Sequence, residues 1–150
     1  MHPFRAAVES GELDNIGDLF AEDAVLNSPV AYRPYHGRAV IAAIIAGVAS
    51  VLEGFRFEKE LTGKQHGSRT GNHALLFNAT VEGLQIQGCD FVHTREDGLI
   101  DEITVMVRPL KAATVFAEQM RAAIETGGST GKTPAPQPLP GPSQSASDAC

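Results

Sequence analysis

A chain of 150 residues with 43% hydrophobic and 20% charged side chains can build one hydrophobic core and is short for two. The formal net charge of −6, with no cluster of Lys and Arg among aromatics, excludes a nucleic-acid footprint. The longest apolar run, AVIAAIIAGVASVL over residues 39–52, is shorter than the roughly 20 residues a membrane span needs, so no membrane partner is expected.

The N-terminus lacks a basic head followed by an apolar stretch and a cleavage site, which makes the cytoplasm the expected location. Pro3 suits a first helical turn, Phe4, Ala7 and Val8 share one face, and Gly11 can close the helix. A second helix is expected from a cap at Asp14 through Ile16, Leu19 and Phe20. The stretch FAEDAVLNSPV at 20–30 introduces a pocket-lining strand. After Gly37 a third helix is apolar nearly all round, as expected of one covered on most sides.

Beyond Leu52 the period changes to two, and FRFEKELTGK, NHALLFNATV, LQIQGCDFVHT and LIDEITVMVRP read as strands of an antiparallel meander. HGSRTG at 66–71, Glu82-Gly83 and Asp97-Gly98 supply the turns. LKAATVFAEQMRAAIE then returns to helical spacing. Helices first and strands afterwards make the fold class α+β, a curved sheet wrapped around three N-terminal helices with a helix at the C-terminus. The domain is expected over residues 1–126. Residues 127–150, rich in Pro, Gly and Ser, are expected to be a disordered tail, since they cannot bury enough surface to offset their ordering entropy. Cys89 falls inside a strand and Cys150 ends the tail, so no disulfide framework is expected. No His or Cys stands at a zinc spacing from Cys89, so no metal site is expected either.

Counting outward from the turns gives the strand faces. With Glu82-Gly83 as a two-residue turn, Leu75 opposes Asp90 and His73 opposes Val92. With Asp97-Gly98 as the next, Glu96 opposes Leu99 and Asp90 faces Val105. One face then carries His73, Leu75, Phe77, Asp90, Val92, Ile103, Val105 and Val107, a single carboxyl in a field of hydrocarbon. The other face holds Ala74, Leu76, Cys89, Phe91 and Met106 among others, too apolar for open solvent. A homodimer interface or cover by the C-terminal helix would each explain it.

FRAAVESGELDNIGDLFAEDAVLNSPV, HGRAVI and DFVHTREDGLIDEITVMVRPL together resemble the NTF2-like superfamily of cone-shaped (cystatin-like) α+β domains, which includes ketosteroid isomerase and SnoaL-like polyketide cyclases. The likeness covers roughly residues 4–120 and implies a small-molecule pocket with no cofactor. In ketosteroid isomerase an Asp base works with an oxyanion hole of a Tyr and a protonated Asp. By position the Tyr falls on Phe4, the base on Ser28, and only the protonated Asp survives, as Asp90. Ser28 cannot replace a carboxylate base, so a standard ketosteroid isomerase is not expected. The Asp, Arg, Asp set of limonene-type epoxide hydrolases is missing as well.

The SnoaL-like resemblance implies an Asp acid/base, placed on Asp90, with a His beside it, placed on His73. Phe4, Phe20, Asn27, Ser28 and Tyr32 are expected around the cavity, and Leu75, Phe77, Val92 and Val105 form its wall from the sheet. Two functions stay open on the sequence: a cofactor-independent cyclase, isomerase or hydratase acting on a small hydrophobic molecule, or a binding or dimerisation module without turnover.

Overall fold

The computed structural model describes residues 1–64 and 70–127. Most of the turn expected at 66–71, and the tail expected over 127–150 apart from its first residue, lie outside the described residues.

Helix α1, Pro3–Ser10, begins where His2 caps it: the Phe4 backbone N–H donates to His2 Nδ1 at 3.2 Å. It ends at Gly11, whose φ of 74° is the left-handed conformation that glycine adopts without strain. The second helix expected from Asp14 is a single 3-10 turn, Ile16–Leu19, flanked by Asn15 with no side-chain cap. Asn15, Gly17 and Asp18 are weak helix formers, and Phe20 already belongs to strand β1, Phe20–Asn27. A two-residue strand β2, Tyr35–His36, pairs with β1 before helix α2, Arg38–Val51.

Strands β3 (Glu53–Lys64), β4 (Gly71–Val81), β5 (Leu84–Thr94) and β6 (Ile100–Arg108) form the expected meander. The six-stranded sheet has the order β2-β1-β6-β5-β4-β3 and is mixed, because β1 lies parallel to β6. Glu82 and Gly83, at φ 47° and 76°, make the turn with both central residues left-handed, and Val81 pairs with Leu84 as counted. The β5–β6 loop is one residue longer than expected. Arg95, not Glu96, opposes Leu99, its N–H donating to the Leu99 carbonyl at 2.8 Å. A bulge at Asp101 absorbs the extra residue, so Asp90 still pairs with Val105 and Val92 with Ile103.

Helix α3, Leu110–Gly127, buries Ala112, Phe116 and Met120 on the side of α2, where the Met120 methyl sits 3.4 Å from the place a Cβ on Gly47 would occupy. It therefore fills the concave side of the sheet and leaves the outer face open, with Phe91 45% and Met106 59% exposed. Inside the cone, Phe4 meets Phe20 and Phe57 edge-on, Phe57 meets Phe77 edge-on, and Phe55 stacks on Phe77 with centroids 4.8 Å apart. Each fully buried ring of this kind stabilises the fold by about 2 kcal/mol.

Candidate functional site: one enclosed carboxyl

Asp90 stands in the middle of the inner face. Leu75 opposes it on β4, Val105 opposes it on β6, and Gly88 and Val92 flank it along β5. Leu75 and Val92 are almost wholly buried and Val105 is half-buried. Asp90 itself is 6% exposed, and among the described residues no hydrogen bond or ion pair reaches its carboxyl. Neither oxygen is fully enclosed, so the residual exposure lies at the tip of the side chain.

Removal from water with no cation or donor in compensation disfavours the carboxylate, and burial alone pushes the Asp90 carboxyl up to about 7. At neutral pH both protonation states are populated. A group in that condition can give a proton to an oxygen or take one from a carbon with little driving force lost either way. Neighbouring Cys89 faces outward, and burial followed by the charge of Asp90 pushes its thiol up. It stays protonated and is a poor nucleophile.

His73 lies diagonally from Asp90 on the same face, but its ring engages other partners. It meets the His2 ring at a centroid distance of 4.5 Å, and its Nδ1 lies 3.4 Å from Thr62 Oγ1. His2, absent from the sequence expectations, is the buried member of this pair. Its Nδ1 accepts from Phe4, so its proton sits on Nε2 and is donated to Thr94 Oγ1 at 3.1 Å. Burial, then the electrostatic influence of His73, lowers His2 to about 4, which keeps it neutral at neutral pH. A histidine directly before a helix-starting proline was the available signal.

Phe4, Phe20, Leu75, Phe77 and Val92 are all in the core that surrounds the inner face. The polar residues expected in the cavity go elsewhere. Asn27 pairs with Thr104 in the β1–β6 ladder, and its Nδ2 donates to Thr104 Oγ1 at 2.9 Å on the outer face. Ser28 Oγ accepts from the Val30 N–H at 3.2 Å, a local turn contact. Tyr32 is 98% exposed. Two open hollows of about 380 and 410 Å³ lie at the α2–α3 edge and on the outer face beside Phe91, and Asp90 lines neither. Among the described residues no group of three or more His, Cys, Asp or Glu side chains could hold a metal ion, and no helix is long and apolar enough to cross a membrane.

Gly88 is the other residue that sequence reasoning passed over. A Cβ there would lie 2.3 Å from Phe77 Cζ and 2.7 Å from the Met106 carbonyl oxygen. The Phe77 ring thus lies across Gly88, two residues along β5 from Asp90. A glycine inside a strand pattern signals such a close approach.

These features define an α+β cone with a lone carboxyl set in its apolar inner wall. The SnoaL-like domain profile matches residues 2–103, and the chain belongs to that family. A steroid Δ-isomerase from Pseudomonas aeruginosa is similar at 27% identity and a TM-score of 0.72, over 85% of this chain and 96% of that one. A protein with a cystatin-like fold from Silicibacter pomeroyi DSS-3 is similar at 30% identity and a TM-score of 0.74, over 84% and 88%. The orange carotenoid protein of Anabaena (Nostoc) sp. PCC 7120, solved with canthaxanthin bound, shares the fold at 13% identity and a TM-score of 0.53, over 68% and 33%. No curated protein sequence matches significantly.

Proposed function

We propose that this is a cytoplasmic small-molecule enzyme of the cofactor-independent cyclase, isomerase or hydratase type, in which Asp90 moves the proton on a hydrophobic substrate. The observation that carries the proposal is the burial of Asp90 without a partner, which holds its carboxyl near 7. Protonated Asp90 donates a hydrogen bond to a substrate carbonyl oxygen and polarises it. Ionised Asp90 takes a proton from a carbon beside a carbonyl and returns it to another carbon, so one carboxyl suffices for an isomerisation. Leu75, Val92 and Val105 shield the carboxyl from most water, and Phe4, Phe20 and Phe77 supply the apolar surroundings for the ligand. His73, joined to His2, bounds the inner face at the α1 end.

Steroid and polyketide-like enones are the first compounds to assay, the steroid because of the Pseudomonas aeruginosa neighbour. Asp90→Asn is expected to lower proton exchange at the substrate carbon by about a hundredfold or more while leaving binding within a few fold. Unchanged exchange in that variant would contradict the role. A binding module without turnover is the second reading, and one pair of observations favours it. Phe4 and Ser28 occupy the positions of the oxyanion Tyr and the base, and Ser28 is engaged in its own turn.

We also propose that the outer face joins two copies of the chain. Leu61, Ala74, Phe91 and Thr104 lie in one row across β3 to β6, and Cys89 and Met106 pair in the next row. Leu61, Phe91 and Met106 are 61%, 45% and 59% exposed, apolar side chains in adjacent rows on the outer side of the sheet. Sedimentation should show a dimer for the wild type and a monomer for Phe91→Glu. A monomeric wild type would contradict the interface.

A further inference from the structure

We propose that His2 is an acid-released latch: neutral, it ties the first turn of α1 to β5, and a second proton on its ring frees that turn and lets Phe4 leave the cone. The latch is independent of the role proposed for Asp90.

Both ring nitrogens of His2 are committed. Nδ1 accepts the Phe4 N–H at 3.2 Å, and Nε2 donates to Thr94 Oγ1 on β5 at 3.1 Å. The His2 carbonyl also accepts from the Ala6 N–H at 3.1 Å, and His2 itself is 6% exposed. Pro3 has no N–H, so the Phe4 N–H is the first orphan donor of α1, and Nδ1 is the group that satisfies it. Ser, Thr, Asp and Asn are the usual residues at this position. A histidine caps only while Nδ1 keeps its lone pair. Once Nδ1 takes a proton, two N–H groups face each other and the cap is lost.

The groups around His2 do not compensate the added charge. The His73 ring on β4 lies 4.5 Å away between centroids, and His73 and the chain's N-terminal ammonium both oppose a positive His2. Glu60 on β3 favours it, but the Glu60 carboxylate lies 3.7 Å from the Arg5 guanidinium of α1, which also pairs with Glu9. From β5 comes the Thr94 hydroxyl, which accepts from a neutral ring as well as from a charged one. Burial and His73 place the protonation of the closed form at about 4, against an ordinary 6.5. The latch therefore holds at neutral pH and weakens as pH falls below 6.5. Phe4, two residues beyond it, meets Phe20 and Phe57 edge-on, so release of the turn uncovers both rings of the inner wall.

Hydrogen exchange followed by NMR on the full-length protein, corrected for intrinsic rates, reads the opening of α1 from the Ala6, Ala7 and Val8 amides and that of the sheet from the β5 amides. Between pH 7 and pH 4 the protection of the α1 amides should fall about a hundredfold while that of β5 does not, the size implied by a change from 6.5 to about 4. His2→Asn keeps a cap that does not titrate, and its α1 protection should be flat over this range. Nitrogen-15 NMR of the wild-type His2 ring serves if that variant does not fold: Nδ1 should be unprotonated at pH 7 and gain its proton at about pH 4, together with the loss of protection. Wild-type α1 protection that does not change with pH, a fall shared by β5, an equal fall in His2→Asn, or a His2 midpoint at the ordinary 6.5 would overturn the latch.

Discussion

Replacing Asp90 by Asn is expected to stabilise the protein at pH 8 by about 4 kcal/mol, and to leave its stability nearly unchanged at pH 4. The carboxyl is raised from 3.8 to about 7 by burial, so between these values the native protein holds the proton more tightly than the unfolded chain does. Stability supplied by the neutral acid is complete below pH 3.8, declines as pH rises through the window, and is gone above about 7. Asn is close in shape to the neutral acid and has no charge to bury at any of these pH values. His2 runs in the opposite sense: its value is lowered to about 4, so its contribution is full above 6.5 and is lost as pH falls. Comparing wild type and variant at each pH removes that background. Urea melts at pH 4, 6 and 8 give the result directly, and a difference that does not grow with pH would show that Asp90 is solvated in the folded protein.

Gly88→Ala is expected to destabilise the protein by about 3 kcal/mol, at the upper end for overpacking a core. The added methyl would meet Phe77 Cζ at 2.3 Å and the Met106 carbonyl oxygen at 2.7 Å. The ring can turn aside, but the carbonyl belongs to the backbone of β6, where Val107 pairs with Gly88. Gly17→Ala is the control, since its nearest neighbours would lie at an ordinary 3.5 Å. A lower denaturation midpoint with unchanged slope for Gly88→Ala, and little change for Gly17→Ala, is the expected pattern. Tolerance of Ala at position 88 would show that the β6 backbone does not crowd it.

How far the sequence could be read depended on whether a hairpin was available to count from. Glu82-Gly83 is a strong two-residue turn signal, and from it the pairing of Leu75 with Asp90 follows by parity. The second loop is one residue longer than Asp97-Gly98 alone predicts, yet the inner face is unchanged because the Asp101 bulge restores the register. Asn27 had no such anchor. Strand β1 pairs in parallel with β6 across a long stretch of chain, and its register shifts between Phe20 and Val25. The face of Asn27 could not be counted, and it lies outward. Tyr32 and Ser28 sit in a connection whose geometry has no period to read, and their surroundings emerge only from the fold. The His2–His73 contact joins the start of α1 to β4, an approach that no local pattern encodes. Gly88 was legible as a strand glycine, but which ring would cross it was not.

Asp90 is expected to carry a proton near neutral pH because it is buried without a partner. Carbon-13 NMR of the Asp90 side-chain carboxyl, assigned by its disappearance in Asp90→Asn, reads that proton without reference to ligand or activity. A titration midpoint near pH 7 is the predicted result; a midpoint at the ordinary aspartate value of about 4 would contradict the account.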